Sequence, residues 1–283
     1  MPGLPELEVL RRDLEKEIVG RRVKDVEVRA GSGAMNAIRR HGRRKDFSDL
    51  VRDAKLETVG RYGRKIAFDL DNSHVLVVDL GPSGKLLKTS ASEELESHTH
   101  VVLTFTIGGQ LRFVDAERKG EIFVVDHKGL EEIEGVRDHE IDPLDGNNPL
   151  AWQHFSRLLD SKAEPMKKLL MDESFIVGLG DMYSDEVLFA AGLRYDHPSN
   201  FLSSQDVRRL YRSLMEILMD AIKARGTSMG EDAFVDLSGK PGEYQEEIKV
   251  FEREGESCRR CRNTIVKEEF GGTYTYFCPQ CQS

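Results

Sequence analysis

Four cysteines carry the clearest chemistry in the chain. Cys258 and Cys261, then Cys278 and Cys281, form two Cys-x2-Cys pairs with sixteen residues between them. Two thiolates two residues apart on a tight turn present two soft ligands to one ion. A second such pair completes a tetrahedral four-sulfur site of the kind Zn2+ prefers. The alternatives are two disulfides or a redox dithiol. Disulfides suit oxidising compartments, which a chain with no other cysteine and no secretory leader does not indicate. A redox pair needs no duplicate. The expected cofactor is therefore one structural zinc, because four thiolates leave no position open for catalysis. Ile265-Val266 and Tyr274-Thr275-Tyr276-Phe277 read as a β-hairpin between the pairs. With so small a core, the metal supplies much of its folding energy.

Other groups are weaker signals. Arg39-Arg40-His41-Gly42-Arg43-Arg44-Lys45 is the densest basic run; it is either a solvated loop or a phosphate-binding patch. His98 and His100 alternate along an expected strand and read as structural. The whole chain has 41 Lys and Arg against 50 Asp and Glu, a net charge of −9. That balance counts against strong non-specific binding to nucleic acid or to an anionic membrane. The tail from Pro241 has 6 basic against 8 acidic residues, so the zinc module is poor in the charge that phosphate binding needs.

The elements that must position these groups follow from periodicity. Leu7, Leu10, Leu14 and Ile18 share one face of a helix over 4–19, opened by Pro5 and closed by Gly20. Residues 23–125 are β-rich, with expected strands at 23–28, 65–70, 75–80, 100–106, 110–114 and 121–125. A β-sandwich capped by the first helix is the implied arrangement. The turn-rich stretch 142–149 reads as a linker. Helices are expected at 150–159, 165–171, 182–191 and 204–224. At 283 residues, with 39% apolar and 32% charged side chains, the chain can bury more than one core. No apolar run approaches the roughly 20 residues of a membrane-spanning helix. The opening lacks the basic start and apolar stretch of a leader, so a cytoplasmic protein is expected.

Four segments together resemble the formamidopyrimidine-DNA glycosylase and endonuclease VIII family, most closely its formamidopyrimidine branch. They are Met1-Pro2-Gly3-Leu4-Pro5-Glu6-Leu7-Glu8, Gly81-Pro82-Ser83-Gly84, the run Phe175 to Glu186, and the C-terminal cysteine module. The resemblance implies an α+β fold in three parts: an N-terminal helix and β-sandwich (1–141), a helix–two-turn–helix domain (142–238) and a zinc finger (239–283). It implies a monomer acting on double-stranded DNA lying between the two large domains, nucleoid-associated when bound. It further implies excision of an oxidised purine flipped out of the duplex. The N-terminal proline amine, freed by loss of Met1, attacks C1′ and forms an iminium, which acidifies C2′ and permits strand scission. A neighbouring carboxylic acid protonates the sugar ring oxygen, and a lysine of the sandwich holds a phosphate.

The sequence keeps Pro2 but has Gly3 in place of that acid. Loss of a positioned acid typically costs about 10²–10⁴-fold. Glu6 is the nearest substitute, and the resemblance makes it a helix-orienting residue. Arg64 or Lys65 stands for the phosphate-holding lysine. The three groups that fill the void left by the flipped base are all changed: Pro82 for a methionine, Glu117 for an arginine, Lys119 for a phenylalanine. Asp181 replaces a phosphate-binding asparagine and Thr273 an arginine. His98, Arg118, Lys167 and Tyr183 complete the expected DNA-facing set.

Three readings follow. The chain is an active glycosylase and abasic-site lyase, a catalytically reduced relative that binds DNA or another partner, or a zinc-stabilised interaction protein that has left DNA. The altered residues coincide with the family's catalytic, wedge and phosphate positions while its glycine and cysteine framework stays. This favours impaired excision with a residual Pro2-dependent lyase.

Overall fold

The computed structural model describes every residue except Ser32, Asn147, Glu231 and Asp232. The chain divides into two compact units, Met1–Arg137 with Ala224–Glu243, and Asp138–Lys223 with Tyr244–Ser283.

The first unit opens with helix α1 (Leu4–Glu17). In chain order follow β1 (Val23–Val28), α2 (Ala34–Ala37), α3 (Arg44–Val51), β2 (Leu56–Tyr62), β3 (Lys65–Leu70), β4 (His74–Asp79), β5 (Lys85–Thr89), β6 (Thr99–Phe105), β7 (Gln110–Val114), β8 (Glu121–Asp126) and α4 (His127–Glu131). The strands form two four-stranded sheets, β1-β6-β7-β5 and β2-β3-β4-β8, with every pairing antiparallel. Side-chain alternation sorts residues between faces. Ile66, Phe68, Leu76 and Val78 join the core that also holds Leu7, Leu10 and Leu14 of α1 and Leu103 and Phe113 of the other sheet. Ala67, Val75 and Val77 point the other way, under Leu130, Ile133 and Val136. That second cover explains the unbroken apolar run at 75–78, since a strand buried on both faces need not alternate.

The second unit carries α5 (Trp152–Lys162), α6 (Met166–Met171), α7 (Gly180–Ala191) and α8 (Ser204–Lys223). It ends in the hairpin of β9 (Val266–Phe270) and β10 (Thr273–Phe277), in register Thr273↔Phe270. Among the described residues, no helix is long and apolar enough to cross a membrane.

Three expectations differ from what is found. The stretch 142–149 is not the boundary, because the chain is already bound into the second unit at Ile141, whose N–H donates to the Phe175 carbonyl at 2.9 Å; Asn147 of that stretch lies outside the described residues. His98 precedes strand β6 in the left-handed region at φ +66 instead of alternating within it. Residues 224–243, assigned by sequence to the helical domain and the zinc module, group with the sandwich. Arg225 clasps both Asp13 oxygens at 2.8 and 2.5 Å and Asp236 at 2.6 Å, and the Lys88 N–H reaches the Leu237 carbonyl at 2.8 Å.

Candidate functional site

Gly3 caps α1 in an extended conformation (φ −80, ψ −178) and offers no side chain. Pro5 lies just inside the helix, where its missing N–H is no loss. Glu6, in the first turn, is 3% exposed, and its Oε1 accepts the Thr227 N–H at 2.7 Å. Gly226, at φ +86, brings that segment so near that a Cβ would stand 3.0 Å from Glu6 Cγ. Glu6 therefore holds the 224–243 segment against the first helix.

The two candidates for the phosphate-holding cation separate. Arg64 Nη2 donates to the Pro2 carbonyl at 2.5 Å, whereas Lys65 pairs with Asp79 at 3.3 Å. The amine at the chain start, here that of Met1, titrates below its ordinary value. Burial is the larger cause and Arg64 the next, with Glu117 and Glu6 opposing.

The expected wedge positions lie on two loops tied by polar bonds. Ser83 Oγ donates to Asp115 Oδ1 at 2.5 Å and accepts the Glu117 N–H at 3.0 Å, while Asp115 Oδ2 accepts the Gly120 N–H at 2.7 Å. Gly84 is required for this approach, because a Cβ there would lie 2.1 Å from the Leu80 carbonyl oxygen. On this frame Glu117 and Lys119 pair with each other at 2.6 Å, and Pro82 is half-buried. Arg118 takes a left-handed conformation at φ +59 and lays its side chain over Gly33. His98 is exposed, with its carbonyl accepting the Asp115 N–H at 3.1 Å. His100 is buried, and its Nε2 donates to the Asp115 carbonyl at 2.8 Å. Sequence reasoning missed Asp115, which organises both loops; its signal was an acid five residues before a glycine in a turn.

The basic run is neither a free loop nor an open patch over its whole length. Arg39 and Arg40 both reach Glu121 Oε2 at 3.2 Å, and Arg40 lies 4.2 Å from the Phe123 ring centre. His41 Nε2 accepts the Val124 N–H at 3.0 Å, so the ring is neutral there; burial lowers its pKa. Arg43, Arg44 and Lys45 are exposed.

In the second unit two expected DNA contacts prove to be interior. Lys167 is 0% exposed, and its three N–H groups go to the Asp181 carbonyl (2.7 Å), Ser184 Oγ (2.9 Å) and Asp185 Oδ1 (2.8 Å). An ammonium has three donors, so none remains for a phosphate. Burial pushes Lys167 down and Asp185 up, each drawn back by the other's charge. Tyr183 is 2% exposed and packs on Tyr244, ring centres 5.7 Å apart. Asp181 stays half-exposed in the first turn of α7, and its Oδ1 accepts from Thr273 Oγ1 at 3.1 Å. Two residues that the resemblance places at phosphate positions thus bond to each other.

The same helix anchors the cysteine module. Glu186, wholly buried, accepts the N–H groups of Lys249 (2.9 Å), Val250 (2.8 Å) and Phe251 (3.0 Å); burial nonetheless raises its pKa. Two adjacent acids, Asp185 and Glu186, inside an apolar helix were the available sign of such anchoring.

Cys258, Cys261, Cys278 and Cys281 place their sulfurs within 4.8 Å of one another. Burial raises the Cys281 thiol to about 12. Cys258 falls to about 7 because the Cys261 and Arg260 N–H groups outweigh its burial. Four soft ligands at this spacing fit zinc and form a structural zinc site.

The order of parts is that of a DNA glycosylase with a helix–two-turn–helix domain. Three family models match in this order: the formamidopyrimidine-DNA glycosylase N-terminal domain over residues 1–122, the formamidopyrimidine-DNA glycosylase H2TH domain over 141–232, and a zinc finger found in FPG and IleRS over 255–283. The chain is 32% identical over 282 residues to a formamidopyrimidine-DNA glycosylase of Pelotomaculum thermopropionicum, spanning 100% of this chain and 99% of that protein. The crystal structure of MutM (Fpg) from Thermus thermophilus superposes with TM-score 0.83 at 31% identity, covering 99% and 98% of the two chains. The Lactococcus lactis Fpg in complex with abasic-site DNA gives 0.85 at 26% identity, covering 99% of each. The chain belongs to the formamidopyrimidine-DNA glycosylase family.

Proposed function

We propose that this protein is a monomeric DNA-binding member of its family that acts on abasic sites through the Pro2 amine and excises bases poorly. The observation that carries the reading is the N-terminal geometry. Gly3 supplies no acid, Glu6 is committed to the Thr227 N–H, and Arg64 holds the Pro2 carbonyl. Excision from an intact nucleotide needs a proton delivered to the ring oxygen, and no carboxylic acid is placed for it at position 3. An abasic site already equilibrates with an open aldehyde. With Met1 removed, the secondary amine of Pro2 adds to that carbonyl and loses water to give the iminium. Loss of a C2′ proton then expels the 3′ phosphate, and water releases the amine.

Duplex DNA as partner is supported by the abasic-DNA complex of the Lactococcus lactis relative. Arg64, Arg118 and the exposed part of the 39–45 run are the cations proposed for its backbone, with Asp181 and Thr273 as weakened positions. Binding is proposed to be weak and indifferent to the lesion. Borohydride trapping on matched duplexes tests the reading. Covalent product is expected with an abasic site and little with 8-oxoguanine, and brisk release of 8-oxoguanine refutes it.

A non-catalytic relative is the second reading, favoured by the Asp181–Thr273 bond, which engages two phosphate positions with each other. Absence of any trapped product in protein lacking Met1 selects it.

A further inference from the structure

Lys167 sits where the resemblance puts a phosphate-binding lysine, yet it touches only protein. Among the described residues it is the only lysine in the buried set. Its partners trace a continuous path. The Asp181 carbonyl belongs to the first turn of α7 and receives one ammonium hydrogen at 2.7 Å. Ser184 Oγ receives another and also lies 2.6 Å from the Gly180 carbonyl. The third goes to Asp185 Oδ1, which also accepts from Thr275 Oγ1 at 2.6 Å, while Asp185 Oδ2 accepts the Tyr276 N–H at 2.9 Å. Thr275 and Tyr276 belong to β10, which runs directly into the zinc ligand Cys278. Thr273, at the start of the same strand, bonds Asp181 Oδ1 as a second strut.

The first turn of α7 and the strand leading into the metal site are therefore joined through one interior ion pair. The pair has no solvent to fall back on. Removing any one partner leaves a buried charge short of hydrogen bonds, which is costly compared with losing the same bond at the surface. Order in the hairpin and order in the helix start should then rise and fall together.

We propose that Lys167 and Asp185 are positioning residues that transmit the order of the zinc hairpin to the first turn of α7, and that Lys167 serves DNA binding only through that turn. The second clause rests on the DNA-binding reading above; the first does not. Lys167 holds the Asp181 carbonyl and the Ser184 hydroxyl, which fixes the direction in which the opening N–H groups of the helix point. The helix start is the part of the element able to meet an anion. The hairpin contributes by keeping Asp185 oriented toward the ammonium.

The test uses the full-length, zinc-loaded protein with Thr275→Val and, separately, Lys167→Met. Zinc content, amide exchange across residues 184–187, and affinity for a duplex bearing a tetrahydrofuran abasic analogue are measured at several salt concentrations. Thr275→Val keeps all four metal ligands. It should retain one zinc per chain while exchange at 184–187 accelerates about tenfold or more, the factor expected for losing one buried bond to a charged group. Duplex affinity should fall with the salt slope unchanged. Lys167→Met should do the same more strongly. Were Lys167 touching phosphate, its loss would make the slope shallower by about 0.9, and that result overturns the positioning role. Unchanged exchange in zinc-replete Thr275→Val overturns the coupling, even if Lys167→Met fails to fold. Faster exchange with unchanged affinity supports the coupling and refutes the DNA reading of α7.

Discussion

The paired loops at 81–84 and 115–120 and the zinc hairpin with the start of α7 both carry expected DNA-contact positions, but their side chains are held differently. In the loops, the buried bonds among Ser83, Asp115 and Gly120 are ties on which the altered side chains do not depend. Glu117 joins them only through its backbone N–H; its side chain and that of Lys119 stand outside, at least a third exposed, and answer each other. At the start of α7, the residues at the expected positions are themselves ties: Asp181 and Thr273 bond across two elements beside a buried ammonium. Surface chemistry can be rewritten freely where the scaffold lies beneath the changed residue. Where a residue is itself a tie, replacing it also costs its partner a bond.

The largest expected effect breaks the second region alone. Removing zinc by chelation, or Cys258→Ser, should unfold the hairpin, because structural zinc typically contributes about 10–16 kcal/mol of apparent binding energy to such modules. Metal analysis and near-ultraviolet circular dichroism read it out, and the sandwich should keep its own transition. Freshly purified, reduced protein without zinc would contradict the site.

A smaller effect sharpens the contrast by removing negative charge in both regions. Glu117→Arg with Asp181→Asn should tighten duplex binding and steepen log K against log salt, by about 0.9 for each additional phosphate neutralised. Glu117→Arg should be structurally silent, while Asp181→Asn should keep its bond to Thr273 by accepting through its amide oxygen. If affinity and slope both stay put, these regions do not form the DNA surface, and an interaction protein becomes the leading reading.

The smallest effect concerns pH. The neutral His41 ring accepts the Val124 N–H, and burial depresses its folded pKa. A depressed histidine contributes stability that is fully present above its unfolded value, about 6.5, and lost as pH falls through the folded value. The difference in urea midpoint between wild type and His41→Gln should therefore shrink as pH drops below about 6.5. A difference that grows on acidification would mean the ring is charged in the fold.

Much of this was legible in the sequence. Strands β1, β3 and β7 have the expected ends. Turn residues mark them: Gly63-Arg64 and Asp71-Asn72 bracket β3, and Gly108-Gly109 precedes β7. Strands β2 and β5 were not read: Leu56–Tyr62 is half polar and interrupted by Gly60, and Lys85–Thr89 is short. The zinc site was plain from spacing alone. What sequence could not give was the direction of a side chain. A family position says where Lys167 and Tyr183 sit along the chain, but whether they face water depends on partners many residues away, such as Asp185 and Tyr244. Glu6 escaped for the same reason, since Thr227 lies 221 positions further on.

That last distance has a consequence for how the molecule is made. The first helix leaves the ribosome about 200 residues ahead of Ala224–Glu243, the segment that Glu6 and Asp13 clasp. Closing so long a loop costs entropy that grows only slowly with length, so the price is mainly one of time. During synthesis Glu6 and Asp13 wait for Thr227 and Arg225 until that segment has been made, with helices α5 to α8 made in between. A ribosome stalled before residue 224 would display a sandwich with these two carboxylates uncovered. The sandwich would therefore reach its final protease resistance late, as that segment docks.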